Sequence, residues 1–120
     1  MILIVDDHPD SCEPLQKLLV RSGFEAEFAL SASEALDKMH ETKPELVILD
    51  EMMPQMSGLE LLDVAKHDPA LKDVPVLFLS ALPDTHLKYE AMQKGAVGWF
   101  VKGRDGWEKV LVGVLNSKIK

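Results

Sequence analysis

The 120-residue sequence contains one cysteine, no hydrophobic run long enough to cross a membrane, and no glycine-rich phosphate-binding motif. A single cysteine excludes an internal disulfide and is typical of a reducing compartment. A membrane span needs about 20 consecutive apolar residues, and a secretory signal has a basic start before its apolar segment. The missing GxxxxGK[ST] and GxGxxG patterns argue against a nucleotide-binding domain. We therefore expect a cytoplasmic protein that makes no membrane contact.

Positive charge is also scarce. The chain has 13 Lys and Arg against 20 Asp and Glu, which gives a formal net charge of −7. Nucleic-acid surfaces depend on clustered Lys and Arg, so we expect no direct nucleic-acid binding. The sequence has no repeat or low-complexity tract, and its length is that of one domain. We therefore treat residues 1–120 as a single domain.

Short apolar runs alternate with helical patterns along the chain. Residues 46–49 form one such run, which ends abruptly at Asp50 and is typical of a strand buried on both faces. Comparable runs predict further strands at residues 2–5, 24–30, 76–79 and 97–101. Strands that alternate with helices predict a doubly wound α/β domain of the (βα)5 type. Its five-stranded parallel sheet would carry helices on both faces.

Capping residues predict where several helices begin. Ser31 and Ser57 each precede a glutamate by three residues, which is the capping-box pattern. Pro14 would cost about 3 kcal/mol inside a helix, so we expect the first helix to begin near Ser11 or to bend at Pro14. The other expected features are a helix start at Pro83-Asp84, a helix end at Gly95, and inward residues Val110, Leu111, Val114 and Leu115 in the last helix.

Polar residues follow four of the predicted strands. They are Asp6, Asp7, Asp50, Ser80 and Lys102. Parallel strands present their carboxyl ends at one edge of the sheet, where α/β folds bind ligands. Three carboxylates held together repel one another, and one lysine does not balance them, so we expect a divalent cation.

The ligand types favour Mg²⁺ at this edge, because oxygen-only ligands suit a hard cation that keeps coordination positions for phosphate oxygens. Asp50 is then placed to attack a phosphoryl group, as in aspartyl-phosphate chemistry. The Ser80 hydroxyl and the Lys102 ammonium would stabilise the phosphoryl oxygens.

Each of these residues also has an ordinary structural interpretation. An aspartate pair before a helix is often a cap, Ser80 alone could be a turn residue, and Lys102 alone would be a solvated charge. His8 could donate to the neighbouring acids, although a turn position is the simpler interpretation. The combination of all the polar strand ends favours the phosphoryl site.

Five motifs in order carry a resemblance to a known family. They are Val5-Asp6-Asp7, Asp50-x-x-Met53-Pro54-x-Met56-x-Gly58, Ser80-Ala81, Gly95-Ala96 and Lys102. Together they resemble the receiver domain of response regulators in two-component phosphorelay systems, over essentially the whole chain. The resemblance implies a flavodoxin-like fold with the strand order 2-1-3-4-5.

The resemblance also implies a role for each site residue. Asp50 would be the phosphoacceptor, with Ser80 as the switch hydroxyl and Lys102 as the phosphate partner. The Mg²⁺ ligands would be Asp6 (largely through water), Asp7, Asp50 and the backbone carbonyl of Met52.

Two positions depart from the family pattern. Trp99 stands at the switch position that is usually Tyr or Phe, and its larger indole argues against a simple inward and outward rotamer switch. Gly103 follows Lys102 where the family often has proline on a cis bond. A cis bond costs a non-proline residue about 2.5–4 kcal/mol, so we predict a trans 102–103 peptide.

The resemblance implies a signalling domain that catalyses only its own phosphorylation and dephosphorylation. The phosphodonor would be a sensor histidine kinase, a phosphotransfer protein or a small acyl phosphate. Phosphorylation would reshape the face of the fourth helix, fifth strand and fifth helix for an output partner or domain, a second copy of the chain included. The alternative is a degenerate receiver that binds partners without phosphorylation. A phosphatase would need an acid two residues after Asp50, where Met52 stands.

Overall fold

The computed structural model describes residues 1–81 and 85–119. In those ranges strands and helices alternate in the order β1 (Ile2–Val5), α1 (Pro9–Arg21), β2 (Ala26–Ala29), α2 (Ala32–Glu41), β3 (Leu46–Leu49), α3 (Gly58–Lys66), β4 (Val76–Ser80), α4 (Thr85–Gln93), β5 (Gly98–Val101) and α5 (Trp107–Ile119). Across the described residues, no helix combines the length and the apolar character that a bilayer crossing requires. The predicted helix start at Pro83-Asp84 lies outside the described residues.

The five strands form one parallel sheet in the order β2-β1-β3-β4-β5, which confirms the predicted flavodoxin-like α/β fold. In the register of β1 and β3, Val5 lies opposite Leu49. Asp6 and Asp50 are the next residues, so both acids leave the sheet at the same level of its carboxyl edge. Strand β2 lies at one side edge of the sheet as predicted, although it is shorter than the predicted 24–30.

The sheet separates two apolar clusters, which explains why the strands are continuous apolar runs. Leu3 and Val5 of β1 pack with buried residues of α2, α3 and α4. Ile2 and Ile4 pack on the other side with buried residues of α1 and α5. Successive side chains of a strand point to opposite faces, so a strand covered by helices on both faces needs apolar residues at every position.

Helix α1 begins at Pro9 and is continuous through Pro14, so the predicted start near Ser11 is wrong. Pro9 stands at the first helical position, where its missing N–H has no intrahelical partner in any case. Pro14 removes one backbone bond, but the helix buries Leu15 and Leu19 almost completely. Burial of two such side chains contributes about 1.5–3 kcal/mol each, which together is enough to offset the cost of about 3 kcal/mol for the proline.

The two predicted capping boxes form differently. At α3, Ser57 accepts a hydrogen bond from the Glu60 backbone N–H and the Glu60 side chain accepts one from Ser57, which confirms the box. At α2, Ser31 accepts the Glu34 N–H as predicted. The Glu34 carboxylate instead accepts the backbone N–H of Leu30, one residue before the cap. The reciprocal half of the α2 box is therefore wrong.

Helix α5 faces the sheet through Val110 and Val114, which are buried as predicted, and Leu111 packs partly against the same cluster. Leu115 is 44% exposed, so its predicted inward position is wrong. Residues four apart lie on the same face of a helix, and the next position is rotated away from that face by about 100°.

Candidate functional site

Two buried carboxylates lie side by side at the carboxyl edge of the sheet. Asp6 is 4% exposed and Asp50 is 6% exposed. The backbone N–H of Asp50 donates to the carbonyl of Val5 at 2.9 Å, so the pairing of β1 and β3 continues up to the acid. Neither carboxylate can move far from the other, because each follows directly on a paired strand.

Lys102 brings a positive charge from β5 to these two acids. Its Nζ lies 2.5 Å from Asp6 Oδ2 and 4.0 Å from Asp50 Oδ2. The Lys102 backbone N–H donates to the carbonyl of Ser80 at 2.8 Å, which ties the start of the following loop to the end of β4. The 102–103 peptide is trans, as predicted, and Gly103 turns the chain with a φ of +80°.

Burial raises the pKa of Asp50, because ionisation is unfavourable away from water. The Lys102 ammonium opposes this rise in the pKa, and the Asp6 carboxylate adds to it. The single lysine therefore does not fully offset the effect of burial on Asp50. Additional positive charge near Asp50 would favour its ionised, nucleophilic form.

His8 lies against both acids that follow β1. Its Nδ1 is 3.3 Å from Asp6 Oδ1 and 3.1 Å from Asp7 Oδ1. Asp7 Oδ1 is shielded from solvent and accepts no hydrogen bond from the described residues, so the imidazole approaches it without hydrogen-bond geometry. Potential metal-ligand atoms of Asp6, Asp7 and His8 all lie within 4.8 Å of one another, in a group that does not include Asp50. In the sequence, only the position of His8 next to two acids indicates that its imidazole could contact them.

The remaining predicted site residues line a cavity of about 680 Å³ at the same edge. Its walls include Asp7, Asp50, Met52, Ser80 and Lys102. Ser80 is fully buried at the end of β4, whereas the Met52 side chain is 60% exposed. The cavity is large enough to admit a phosphoryl group beside Asp50.

A second cavity of about 500 Å³ lies on the α1 and α5 side of the sheet. It shares Asp50 and Lys102 with the first cavity, but it also has walls of apolar strand and helix side chains such as Ile4, Leu15 and Leu79. The cavity that contains Asp7 and Ser80 is lined by more of the predicted site residues than the second cavity.

Glu51 makes hydrogen bonds that hold the loop after Asp50 in place, a structural role that the sequence did not reveal. Its Oε1 accepts the Leu59 N–H at 2.7 Å, and its carbonyl accepts the Gly58 N–H at 2.9 Å. Gly58 lies so close to the strand end that an added Cβ would stand 2.4 Å from the Asp50 carbonyl oxygen. Burial raises the pKa of Glu51, and the Leu59 N–H opposes that rise. The loop from Met52 to Ser57 is therefore held at both ends.

Trp99 occupies the predicted switch position and points into the core. It is 6% exposed, and its indole stacks on the ring of Phe78 with 5.0 Å between ring centroids and 18° between planes. Phe78 belongs to β4, two residues before Ser80. The aromatic at the predicted switch position is thus packed against the strand that carries Ser80, the predicted switch hydroxyl.

The family model described as the response regulator receiver domain matches residues 2–108. The chain belongs to this receiver domain family.

Curated relatives are similar to this receiver domain over part of their lengths. A protein-glutamate methylesterase/protein-glutamine glutaminase of Anaeromyxobacter dehalogenans is 39% identical over 108 residues, which cover 88% of this chain and 30% of that protein. The response regulator Rre1 of Synechocystis is 36% identical over 105 residues, which cover 87% of this chain and 46% of that protein. The chain therefore spans less than half the length of these relatives.

Solved receiver structures match nearly the whole chain. The chemotaxis response regulator CheY4 of Vibrio cholerae is 29% identical with a TM-score of 0.87, covering 97% of this chain and 96% of that one. The receiver domain of NtrX from Brucella abortus is 25% identical with a TM-score of 0.92, covering 100% of this chain and 99% of that one. These similarities support a receiver domain that serves signalling in two-component systems.

Proposed function

We propose that this receiver domain is a switch that accepts a phosphoryl group on Asp50. The observation that carries the proposal is the position of Lys102, whose Nζ lies 2.5 Å from Asp6 and 4.0 Å from Asp50. Three different strands supply these charges to one point. The phosphodonor is a sensor histidine kinase or a phosphotransfer protein, and a small acyl phosphate can replace it. We place the reaction in the cytoplasm, together with these donors.

In the proposed transfer, a carboxylate oxygen of Asp50 attacks the phosphorus atom and the bond between phosphorus and the donor breaks. Lys102 is close enough to Asp50 to reach a phosphoryl oxygen while it keeps its contact with Asp6. Ser80 lines the same cavity as Asp50 and Lys102, and its hydroxyl would donate to a second phosphoryl oxygen. Fixed donors around the developing charge stabilise the transition state.

A divalent cation fits the negative charge that Lys102 does not balance. Asp6, Asp7 and Asp50 carry three formal negative charges against the single positive charge of Lys102, and Asp7 Oδ1 accepts no hydrogen bond from the described residues. Carboxylate oxygens are the ligands that Mg²⁺ prefers. Asp6, Asp7, Asp50 and the Met52 carbonyl would hold the ion, which supplies positive charge to the phosphoryl oxygens when bound.

The output surface in this proposal is the face of α4, β5 and α5. Phosphorylation adds about −1.5 to −2 charges at Asp50, and the end of β4 responds through Ser80. The two helices of this proposed face carry exposed apolar side chains that a partner can cover: Tyr89 and Met92 on α4, and Val112 and Leu115 on α5. The partner is an output domain, another protein or a second copy of the chain.

Intact mass spectrometry after incubation with acetyl phosphate tests the proposal. We expect the wild type to gain the mass of one phosphoryl group with Mg²⁺ and to gain none when EDTA is present. Asp50→Ala should remain unlabelled in both conditions. Asp73→Ala is the matched control, because Asp73 is exposed near the opposite edge of the sheet, and it should label as the wild type does.

An unlabelled wild type would support the degenerate receiver instead. In that case the wild type and Asp50→Ala should bind an output partner equally well, because the interaction would not depend on phosphorylation. Labelling of both the wild type and Asp50→Ala would place the phosphoacceptor elsewhere and would refute the assignment of Asp50.

A further inference from the structure

His8 stands at a helix cap position but does not act as a cap. It is the N-cap residue of α1, and its side chain makes no capping hydrogen bond. Residues favoured there are Ser, Thr, Asp and Asn, whose oxygens accept free backbone N–H groups of the first turn. The imidazole is turned toward the two acids of β1 instead, although it is 67% exposed. Local helix stability therefore does not explain the side chain at this position.

Two spacings among these donors match those of neighbouring ligands in a metal coordination sphere, and all three donor atoms lie within 4.8 Å of one another. Neighbouring ligands in an octahedron with bonds of about 2.1 Å lie about 3.0 Å apart. The distances from His8 Nδ1 are 3.3 Å to Asp6 Oδ1 and 3.1 Å to Asp7 Oδ1. Asp7 Oδ1 is shielded from solvent and accepts no hydrogen bond within the described part of the chain, so its lone pairs are available to an ion.

We propose that His8 adds a nitrogen ligand to the cation site of this receiver domain. The inference rests on the proposed function, which places a divalent cation at Asp6, Asp7 and Asp50. A nitrogen donor raises the affinity for first-row transition cations such as Co²⁺ and Ni²⁺, for which imidazole is a suitable ligand. Mg²⁺ gains little, because it prefers oxygen and gives up its water reluctantly. The site should therefore discriminate among cations through His8.

The competing interpretation is that His8 only donates a hydrogen bond to Asp6 Oδ1, from which its Nδ1 is separated by 3.3 Å. A hydrogen bond of that kind orients Asp6 for any cation. Its loss would change the affinities for Co²⁺ and Mg²⁺ by similar factors. A nitrogen ligand, by contrast, affects Co²⁺ much more than Mg²⁺, so the ratio of the two affinities separates the interpretations.

Calorimetric titrations of the full chain with Co²⁺ alone and with Mg²⁺ alone measure this ratio. They should be done at one pH, above the range in which an unperturbed imidazole is protonated. In His8→Gln we expect Co²⁺ binding to weaken by about tenfold or more, and Mg²⁺ binding to change by less than about twofold. The matched control is His67→Gln, an exposed histidine at the end of α3, for which both affinities should stay as in the wild type.

Nuclear magnetic resonance reports whether the ion binds beside the His8 ring. Paramagnetic Co²⁺ should shift or broaden the imidazole signals of His8 at lower concentrations than those of the other three histidines. Equal changes in Co²⁺ and Mg²⁺ affinity in His8→Gln, or a His8 ring signal that is unaffected at saturating Co²⁺, would overturn the nitrogen-ligand proposal.

The observation that would refute the proposed phosphoacceptor function differs from the one that would refute the role of His8. If the wild type binds Mg²⁺ and is labelled by acetyl phosphate while His8→Gln keeps the wild-type ratio of affinities, only the role of His8 is refuted. If the wild type binds Mg²⁺ without being labelled, the phosphoacceptor function is refuted instead, and the Co²⁺ titration still decides the role of His8. Asp7→Asn should weaken both cations, which confirms that the titrations report on this site.

Discussion

The ammonium group of Lys102 lies closer to Asp6 than to Asp50: its Nζ is 2.5 Å from Asp6 Oδ2 and 4.0 Å from Asp50 Oδ2. Both acids are almost fully buried, so the lysine contacts a carboxylate that has little access to solvent. Asp50 keeps the weaker contact. The arrangement keeps a positive charge within reach of Asp50 without pairing the lysine tightly to it.

Removal of this anchor should destabilise the fold. In Lys102→Gln we expect the free energy of unfolding at neutral pH to fall by about 2 kcal/mol, because Asp6 loses a charged hydrogen bond at a buried position. Lys109→Gln is the control, since Lys109 is 72% exposed and its Nζ is 3.7 Å from Asp105. That change should stay within about 0.5 kcal/mol. Equal losses in the two variants, measured by urea unfolding, would show that Lys102 is not an anchor.

Neutralising Asp50 should stabilise the metal-free protein. Its pKa is raised in the folded state from the ordinary value of 3.8, mainly by burial, so ionised Asp50 opposes folding. The penalty appears as the pH rises above 3.8 and is complete once the pH exceeds the raised pKa. In EDTA at neutral pH, Asp50→Asn should therefore gain about 1 kcal/mol, a typical single-substitution effect, and the gain should shrink toward acidic pH. Asp73→Asn, at an exposed position, should show no such pH-dependent gain.

Gly58 should tolerate no side chain. An added Cβ would stand 2.4 Å from the Asp50 carbonyl oxygen and 2.8 Å from Phe78 Cε2, so either the strand end or the core must shift. We expect Gly58→Ala to lower the free energy of unfolding by about 1–3 kcal/mol and to reduce labelling of Asp50. Gly106→Ala is the control, because no atom lies within 4 Å of its added Cβ. It should cost less than about 1 kcal/mol at the start of α5. Equal effects of the two substitutions on stability and labelling would contradict the packing argument.

Trp99 should stay in the core when the protein is phosphorylated. The stack on Phe78 at 5.0 Å and the nearly complete burial of the indole oppose an outward rotation. The measurement is the fluorescence of Trp99 in a Trp107→Phe background, with and without acetyl phosphate. We expect the same emission maximum and the same protection from acrylamide quenching in both states. A shift to longer wavelength with stronger quenching on phosphorylation would instead show an outward switch.

The ion pair of His40 and Asp68 should make stability depend on pH. The hydrogen bond between them raises the pKa of His40 above 6.5 and lowers the pKa of Asp68 below 3.8. The His40 contribution is complete below pH 6.5 and is lost as the pH rises through its raised pKa. The Asp68 contribution is complete above pH 3.8 and is lost as the pH falls through its lowered pKa.

A double-mutant cycle of His40→Gln and Asp68→Asn measures this coupling by urea unfolding across the pH range. The coupling energy should be greatest between pH 3.8 and 6.5 and should vanish at higher pH. A coupling energy that is independent of pH, or that increases above neutrality, would exclude the ion pair as its origin.

The sequence predicts the sheet and the position of the acids because a few strong signals determine them. An apolar run such as residues 46–49 can only be buried on both faces, and the acid that ends it must then lie at the edge of the sheet. The predicted start of α1 was wrong because it rested on the low helix propensity of Pro14 alone. The burial of Leu15 and Leu19 in the fold offsets that cost. The Glu34 half of the predicted α2 capping box was wrong because Leu30 N–H and Ser31 N–H lie next to each other along the chain, and the pattern does not distinguish between them.

The residues that the sequence did not reveal act through contacts set by the fold. Glu51 resembles an ordinary loop acid until the position of α3 places the Leu59 N–H against it. His8 resembles a turn residue until its ring is seen beside Asp7 Oδ1. Such pairings depend on side-chain directions, which a linear pattern does not encode.

The most direct test of the phosphoacceptor assignment is to locate the phosphoryl group after labelling with acetyl phosphate and Mg²⁺. Borohydride reduces an aspartyl phosphate to homoserine, and peptide mass spectrometry then identifies the converted residue. We predict conversion at Asp50 alone, with Asp6 and Asp7 unchanged and with no conversion when EDTA replaces Mg²⁺. Conversion at Asp6 or Asp7, or a label that survives in Asp50→Ala, would contradict the account.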